Sequence, residues 1–356
     1  MIDWLNIEVP LAHLPIRQGR RMVIDHDGVV TSEFVMFRGV ENTFDEEGSY
    51  SSRVAVSSID SDYTVAQTGS LPSGMVSGIS VKGNPAKYLQ GHNIFGISCI
   101  RSLARAVVAD VLPKLGFFAT DAARAVKQID DGHYRVTKID ITKMFRLGTD
   151  QDVRDYLRMM PHTVSARGDR CEFCKNTFYI GKHSGLWSLK IYNKYLEITS
   201  RSKAHRLPDF LPREDFEQFV AGQLRVELVL QKQILDRLQL TDPVLLQNRL
   251  DEVFNEFTGR ITMRNQEIAE HDYVKLSPSF QGTVEKWRAG RDLKSLMSKT
   301  TYYRHRAELL KIGIDISKPP IMAEDRTAIV HPIKVLAPME VVEIPPCLQP
   351  YLLRVA

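Results

Sequence analysis

The sequence predicts an α+β fold: an antiparallel sheet with helices on one face, followed by a smaller, mostly helical C-terminal region. Three features of the pattern predict it. Segments with strand periodicity recur up to about residue 230, helix-like segments interleave with them, and beyond about Gln231 the periodicity becomes helical. At roughly 100–200 residues per domain, a chain of 356 residues holds two domains, or three. The divisions read from the pattern are 1–235 as the sheet-bearing domain, 236–318 as a helical region and 319–356 as a proline-rich tail.

The first 80 residues are β-rich, with short apolar runs such as Arg53-Val54-Ala55-Val56 and Gly78-Ile79-Ser80-Val81 set between Gly, Ser and Asp turns. A compact polar, glycine-rich stretch runs from Asn84 to Gly96. From about Ser98 to Leu115, Leu103, Ala106, Val107 and Val111 recur at helical spacing and predict a core helix. Three predicted strands follow. In Tyr134 to Thr142, Ile139 and Ile141 face one way, and Lys138, Asp140 and Thr142 the other. In Trp187 to Lys194, Trp187, Leu189 and Ile191 oppose Lys190, Tyr192 and Lys194. In Leu224 to Leu230, Leu224, Val226, Leu228 and Leu230 oppose Arg225 and Glu227. A helix is expected over about 151–160. Each strand thus has one face for a core and one with chemically useful groups.

In the C-terminal region, Val244 to Phe257 repeats apolar residues at spacings of three and four, and Leu276-Ser277-Pro278-Ser279 breaks the pattern. Two short helices follow near 292–313, joined at Ser298-Lys299-Thr300, with Gly313 as a C-terminal stop. A tight joint before a basic second helix resembles helix-turn-helix geometry.

Hydrophobic content of 43% and charged content of 25% exclude a mostly disordered chain. No run of 18 apolar residues predicts a membrane span, and the N-terminus lacks the pattern of a signal peptide. Four cysteines do not make a disulfide scaffold, so a reducing cytoplasm is expected. The net charge of +4 conceals two basic concentrations. Residues 182–206 hold six Lys and Arg against one Glu, and residues 282–311 hold eight against three acids. Phosphate polymers are the usual partners of such segments, whereas the plainer alternative is a solvated surface.

The chemistry centres on Tyr192. A phenol is a weak nucleophile near neutral pH because its pKa is about 10. A nearby ammonium favours the phenolate, and on a strand Lys194 shares the face of Tyr192. Asp140 and Glu227 offer hard oxygen ligands for Mg²⁺ or Mn²⁺, and His92 a nitrogen. Together these parts make a metal-dependent phosphodiester transesterification centre. Lys190, Arg225, Lys299, Arg304, Arg306 and Lys311 are candidate DNA contacts. Cys171 and Cys174 form a lone Cys-x-x-Cys, which zinc could use only with further ligands such as His162 and His183. Tyr195 is an alternative nucleophile, but strand geometry turns it away from Tyr192, toward core or rim packing. No phosphate-binding Gly-rich Lys-Ser/Thr loop is present, which argues against a built-in ATP-driven helicase.

The stretch from Asn84 to Gly96 resembles the signature of the filamentous-phage gene II/gene X replication initiators. So do the opening Met1-Ile2-Asp3, the Lys138-Ile139-Asp140 strand and the Leu224-Arg225-Val226-Glu227 strand. The runs Phe178 to Gly181 and Leu189 to Glu197 are similar to the nucleophile region of rolling-circle plasmid initiators, and the segment from Thr300 to Ile316 resembles the phage initiators' C-terminal region. The resemblance implies a sequence-specific nicking endonuclease, related to the histidine-hydrophobic-histidine (HUH) endonucleases, that starts rolling-circle replication. It implies that Tyr192 attacks the scissile phosphate of a phage or plasmid origin and joins the 5′ phosphate. A 3′ hydroxyl is then left for a host polymerase, with a host helicase as a further partner. The sequence departs from the superfamily in having no His-x-His pair, so the implied metal set is Asp140 and Glu227 first and His92 third. The alternatives are a non-catalytic DNA-binding regulator of replication or transcription, and a mobilisation relaxase. A pure binder has no use for Asp140, Tyr192 and Glu227 together on polar strand faces.

Overall fold

In the computed structural model, nine strands hydrogen-bond into one sheet in which every neighbouring pair is antiparallel. The structure describes residues 1–16, 20–24, 30–35, 38–43, 51–59, 74–166, 170–174, 176–200, 207–263, 273–312, 314–320 and 342–353. In chain order, the first strands are β1 (Ile2–His13), β2 (Arg20–Ile24), β3 (Val30–Val35), β4 (Arg38–Thr43), β5 (Ser51–Ile59) and β6 (Val76–Gly83). Helices α1 (Pro85–Gln90), α2 (Ile100–Lys114) and α3 (Ala119–Asp130) lead to β7 (Arg135–Arg146), α4 (Asp150–Thr163), β8 (Val164–Ala166), β9 (Cys171–Cys174), β10 (Thr177–Ile180) and β11 (Trp187–Asn193). Then come α5 (Lys194–Ile198), α6 (Arg213–Val220), β12 (Gln223–Gln231), α7 (Lys232–Arg237), α8 (Pro243–Thr258) and β13 (Ile261–Met263). The sheet order is β4-β5-β6-β1-β7-β12-β11-β10-β9, while β2 pairs with β3 and β13 with β8.

The three strands expected to matter most lie side by side as β7, β12 and β11. Their apolar faces, with Ile139, Ile141, Val226, Leu228, Leu189 and Ile191, pack against α2, α3, α4 and α8 in one core. Strand alternation produces this directly, because a helix layer needs a continuous apolar sheet face and period-two placement supplies it. Leaving that face open would forfeit about 1.5–3 kcal/mol for each large aliphatic side chain.

Two expectations change. Helix α8 contributes Leu246, Val253, Phe254 and Phe257 to the sheet's core, so the sheet-bearing unit does not stop at residue 235. Its apolar stripe is the same one that suggests a separate helical region, since periodicity alone cannot say which surface a helix covers. The polar face is also not wholly open. Beside the C-terminal end of β11, α5 and α6 cover it with a second apolar cluster containing Ile94, Phe95, Ile198, Phe216 and Phe219. Residues 342–353 of the expected tail pack onto this cluster through Leu348, which is fully buried.

A third, separate core holds the C-terminal helices α9 (Pro278–Arg288), α10 (Leu293–Leu296) and α11 (Lys299–Lys311), through Val284, Trp287, Leu293, Tyr302 and Leu309. Extended Met297 breaks the chain between α10 and α11, and the Ser298 side chain caps α11 by accepting from Thr301 N at 3.2 Å. The short helix, joint and longer basic helix therefore form near the expected residues. Gly313, the expected stop, lies outside the described residues.

Candidate active site

Six polar side chains occupy one face of three adjacent strands: Asp140 and Thr142 on β7, Arg225 and Glu227 on β12, Lys190 and Tyr192 on β11. The register sets Lys190 opposite Glu227, Glu227 opposite Thr142, and Tyr192 opposite Arg225. Tyr192 reaches diagonally, and its phenol donates to Glu227 Oε1 at 2.7 Å. Arg225 Nε donates to the same oxygen at 2.8 Å, and Lys190 Nζ to Glu227 Oε2 at 3.2 Å. The Lys190 ammonium also sits 4.0 Å from the Tyr192 ring centroid.

Strand β1 and the loop after α1 close the cluster. Asp3 Oδ1 accepts from the Asn84 and Asn93 side-chain amides at 2.8 and 2.9 Å and lies 2.9 Å from Arg225 Nη2. Arg225 Nη1 donates to the Asn93 carbonyl at 2.5 Å. The polar, glycine-rich stretch from Asn84 begins as the short helix α1. Asn84 caps it, Pro85 takes its first turn, and Gly91 ends it in the left-handed region at φ 85°. These are helix punctuation signals, visible in the sequence. At the other end, Gly222 turns the chain into β12 at φ 71°, where a Cβ would collide with the Gly148 carbonyl.

The electrostatics keep the proton on the phenol. Burial pushes the Tyr192 hydroxyl well above its ordinary pKa; Arg225 opposes this and Glu227 adds to it. Burial would raise Glu227 as well, but Arg225 and Lys190 outweigh it and hold the carboxyl below its usual range. Glu227 is thus an ionised acceptor hydrogen-bonded to a protonated phenol, a pair with a direct path for a proton between them. Tyr192 is 4% exposed, so a substrate reaching its oxygen must displace part of the cover.

Several expected placements differ. Lys194 does not continue the strand, because the Asn193 side chain accepts from Leu196 N and starts α5 there. Lys194 is 2% exposed. Its ammonium binds Glu197 at 2.6 Å and Asn93 Oδ1 at 3.1 Å, 6.0 Å from the Tyr192 ring centroid, while Lys190 is the cation against that ring. Burial lowers the Lys194 pKa. Arg225 is fully buried, so it organises the carboxylates and cannot meet DNA. His92 is 1% exposed, wedged between Phe95 and Phe216, with Nε2 donating to the Tyr351 carbonyl at 3.2 Å and Nδ1 accepting from Ile94 N at 3.4 Å. Burial lowers its pKa to about 4 and keeps the ring neutral, and both ring nitrogens are engaged by backbone groups, so the imidazole braces the loop. Tyr195 lies on α5 against the second apolar cluster, not on a strand. Cys171 and Cys174 are free thiols on β9; His183 approaches Glu172, and His162 meets the Pro319 carbonyl. Among the described residues, no three His, Cys, Asp or Glu side chains converge as a cation site.

Asp140 stands apart. Its Oδ1 and the Thr142 hydroxyl, both buried on this face, lack hydrogen-bond partners, and the Lys138 ammonium is 3.9 Å from Oδ1. Burial raises the Asp140 pKa to about 8; Lys138 opposes this, and Asp3 and Glu227 reinforce it. In the unfolded chain this carboxyl ionises near 3.8, so folding takes up a proton between the two values. The contribution is fully present below the unfolded value and is lost as pH rises through the folded one, at up to about 1.4 kcal/mol per pH unit. Thermal melts from pH 5 to 9 are expected to show that decline in the wild type and a flatter profile in Asp140→Asn. Parallel profiles would place the decline elsewhere.

The C-terminal basic helix divides its charges. Arg306 grips Asp315 with both arms, Nε to Oδ1 at 2.7 Å and Nη2 to Oδ2 at 2.9 Å, and Lys311 pairs with Glu308. Contrary to expectation, Arg306 has an intramolecular role, whereas Lys311 and Glu308 form an exposed pair on the helix surface. Lys299 and Arg304 are exposed, and Arg304 follows exposed Tyr303.

Two family matches cover most of the chain. The family described as the gene II replication-associated protein, N-terminal, matches residues 1–252, and its C-terminal counterpart matches residues 269–346. The chain is also 34% identical, over 324 residues, to the replication-associated gene II protein of Enterobacteria phage I2-2, covering 89% of this chain and 88% of that protein. The chain belongs to the phage gene II replication-associated family. The gap between the two gene II matches, 253–268, begins within α8 and precedes the third core. A rolling circle replication initiator protein from Geobacillus stearothermophilus aligns over 80% of this chain and 95% of its own, at 14% identity and a TM-score of 0.31. No described helix is long and apolar enough to cross a membrane.

Proposed function

We propose that this gene II-family chain nicks and rejoins one strand of a phage replication origin, beginning rolling-circle replication through a covalent link at Tyr192. The observation that supports this most is the Tyr192 phenol bonded at 2.7 Å to Glu227, itself held ionised by Arg225 and Lys190. In the proposed step the Tyr192 oxygen bonds to the scissile phosphorus, its proton passes to Glu227, and the phosphorus–O3′ bond breaks. The 3′ oxygen leaves, taking a proton from solvent, and becomes a primer end for a host polymerase. A host helicase separates the strands in the bacterial cytoplasm. The link conserves the phosphodiester bond, so rejoining needs no ATP.

A divalent cation fits part of the site. The unpartnered Asp140 Oδ1 and Thr142 hydroxyl are buried oxygen donors on the same sheet face as Glu227. Asp140 would hold Mg²⁺ or Mn²⁺, with Glu227 adjacent; the ion would neutralise charge on the phosphate. Mg²⁺ is expected to raise the melting temperature of the wild type at pH 8 and to leave Asp140→Asn unchanged. Equal shifts in both would remove Asp140 from the ligand set.

The deciding assay combines the protein, Mg²⁺ or Mn²⁺ and supercoiled origin DNA. The expected product is a nicked circle with the protein joined to its 5′ end, and peptide mapping should find the link at Tyr192. Nicked circles without bound protein would overturn the covalent route.

Origin contact by α11 is assigned to Lys299 and Arg304. Replacing both with Ala should weaken origin binding and reduce its log–log salt slope by about 0.9 per lost phosphate contact. Arg306→Ala should instead destabilise the third core by about 1 kcal/mol, because its ion pair is partly screened by solvent. If the Lys299 and Arg304 double variant binds with unchanged affinity and slope, α11 does not face DNA.

A further inference from the structure

The segment 344–353 returns from the C-terminal region to the back of the candidate active site, and neither family match extends past residue 346. Leu348 is fully buried among Ile94, Phe95, Ile198 and Phe216. A single 3₁₀ turn, Gln349–Tyr351, follows, and the Tyr351 ring meets Phe216 at 5.8 Å. The Tyr351 carbonyl accepts from His92 Nε2, and Leu353 N donates to Gln90 Oε1 at 2.9 Å. The same Gln90 side chain donates to the carbonyls of His92 and Phe95, at 3.1 and 2.7 Å. Both contacts thus land on the two residues that shape the 90–95 loop.

That loop carries Asn93, whose amide and carbonyl touch Lys194, Asp3 and Arg225. Arg225 in turn holds the Glu227 oxygen that receives the Tyr192 proton. A continuous chain of contacts therefore runs from Leu353 and Tyr351 through Gln90 and His92 to Asn93, Arg225 and Glu227.

We infer that residues 344–353 are a positioning clasp for the active site, fixing the 90–95 loop so that Asn93 holds Arg225 and Lys194 in register with Tyr192 and Glu227. This rests on the nicking function proposed above. The clasp touches no reacting atom. It works by restricting Asn93, and a displacement of about 1 Å in a supporting shell can cost roughly 100-fold in rate.

The test uses two variants. Leu348→Asp places a carboxylate in the apolar cluster and detaches the clasp in an otherwise unchanged chain; a chain ending at Val341 removes it. Each is assayed on a single-stranded origin oligonucleotide and by amide exchange. For both, kcat should fall by roughly 10- to 100-fold with KM within about twofold, and exchange at Ile94 should accelerate. A synthetic peptide of residues 342–353, added to the shortened chain, should restore kcat and slow that exchange. General loss of folding would instead lower the melting temperature and the active fraction without rescue by the peptide, and would refute the clasp. Unchanged kcat with fast Ile94 exchange would overturn the inference, as would a rise in kcat, which would make the segment a cover. If the wild type itself forms no adduct, the nicking proposal fails. Ile94 exchange and peptide binding then decide the clasp alone, and protection equal to wild type in both variants would refute it.

Discussion

Tyr192→Phe is expected to lower covalent adduct formation by at least about three orders of magnitude, while duplex origin binding changes by less than about 1 kcal/mol. The phenol oxygen is the atom that would bond to phosphorus, and phenylalanine keeps the ring under the Lys190 ammonium. The fold should persist, although Glu227 loses one of its donors; Arg225 and Lys190 remain to hold its charge. Adduct yield measured by gel shift of labelled oligonucleotide checks this. An adduct retained at wild-type yield would exclude Tyr192 and turn attention to Tyr195, whose place on α5 makes it a poor substitute.

The largest expected stability change comes from Arg225→Ala. This guanidinium, fully buried, lies between Asp3, Glu227 and the Asn93 carbonyl. Removing it leaves two carboxylates without their principal counter-charge, and breaking a buried pair from one side costs about 3–5 kcal/mol. For a unit of this size, each kcal/mol shifts the melting temperature by about 2–4 °C, so a loss of roughly 10 °C is expected. Arg225→Lys should recover only part of it, because one ammonium cannot span three acceptors that a planar fork meets at once. A melting temperature within roughly 2 °C of wild type would mean the carboxylates are neutralised by other means.

The strands of the site are legible because alternation fixes which side chains share a face. Asp140, Tyr192, Lys190, Arg225 and Glu227 fall on one side of β7, β11 and β12, as their spacing requires. What alternation cannot show is where a strand ends: Asn193 reads equally well as a strand residue and as a helix cap, and that ambiguity misplaces Lys194. Nor does it show what covers a face. Arg225 has the sequence context of a surface cation until α5, α6 and the 90–95 loop close over it. His92 reads as a ligand because histidine is one in many sites, yet its nitrogens are spent on local backbone and on Tyr351, 259 residues away in sequence. Asp3 stands out in the sequence only through the family resemblance. Its importance depends on β1 lying beside β7, a pairing that no local pattern announces.

The position of β1 in the sheet has a consequence for how the protein is made. This strand is made before every other strand of the sheet but lies in its middle, paired to β6 and β7. Its Trp4 is opposite Asp140, and Asp3 can meet Arg225 only once β12 exists. At about 5–20 residues per second, more than ten seconds of synthesis separate the two halves of that ion pair. Pairings this distant fold slowly, because loop closure precedes the contacts that reward it. A nascent chain therefore carries Asp3 long before it carries Tyr192, and it acquires the phenol before the arginine and carboxylate that would organise it. The cluster of Tyr192, Arg225 and Glu227 is therefore complete only once β12 has been made, and a chain stopped before Glu227 lacks the acceptor of the phenol's hydrogen bond.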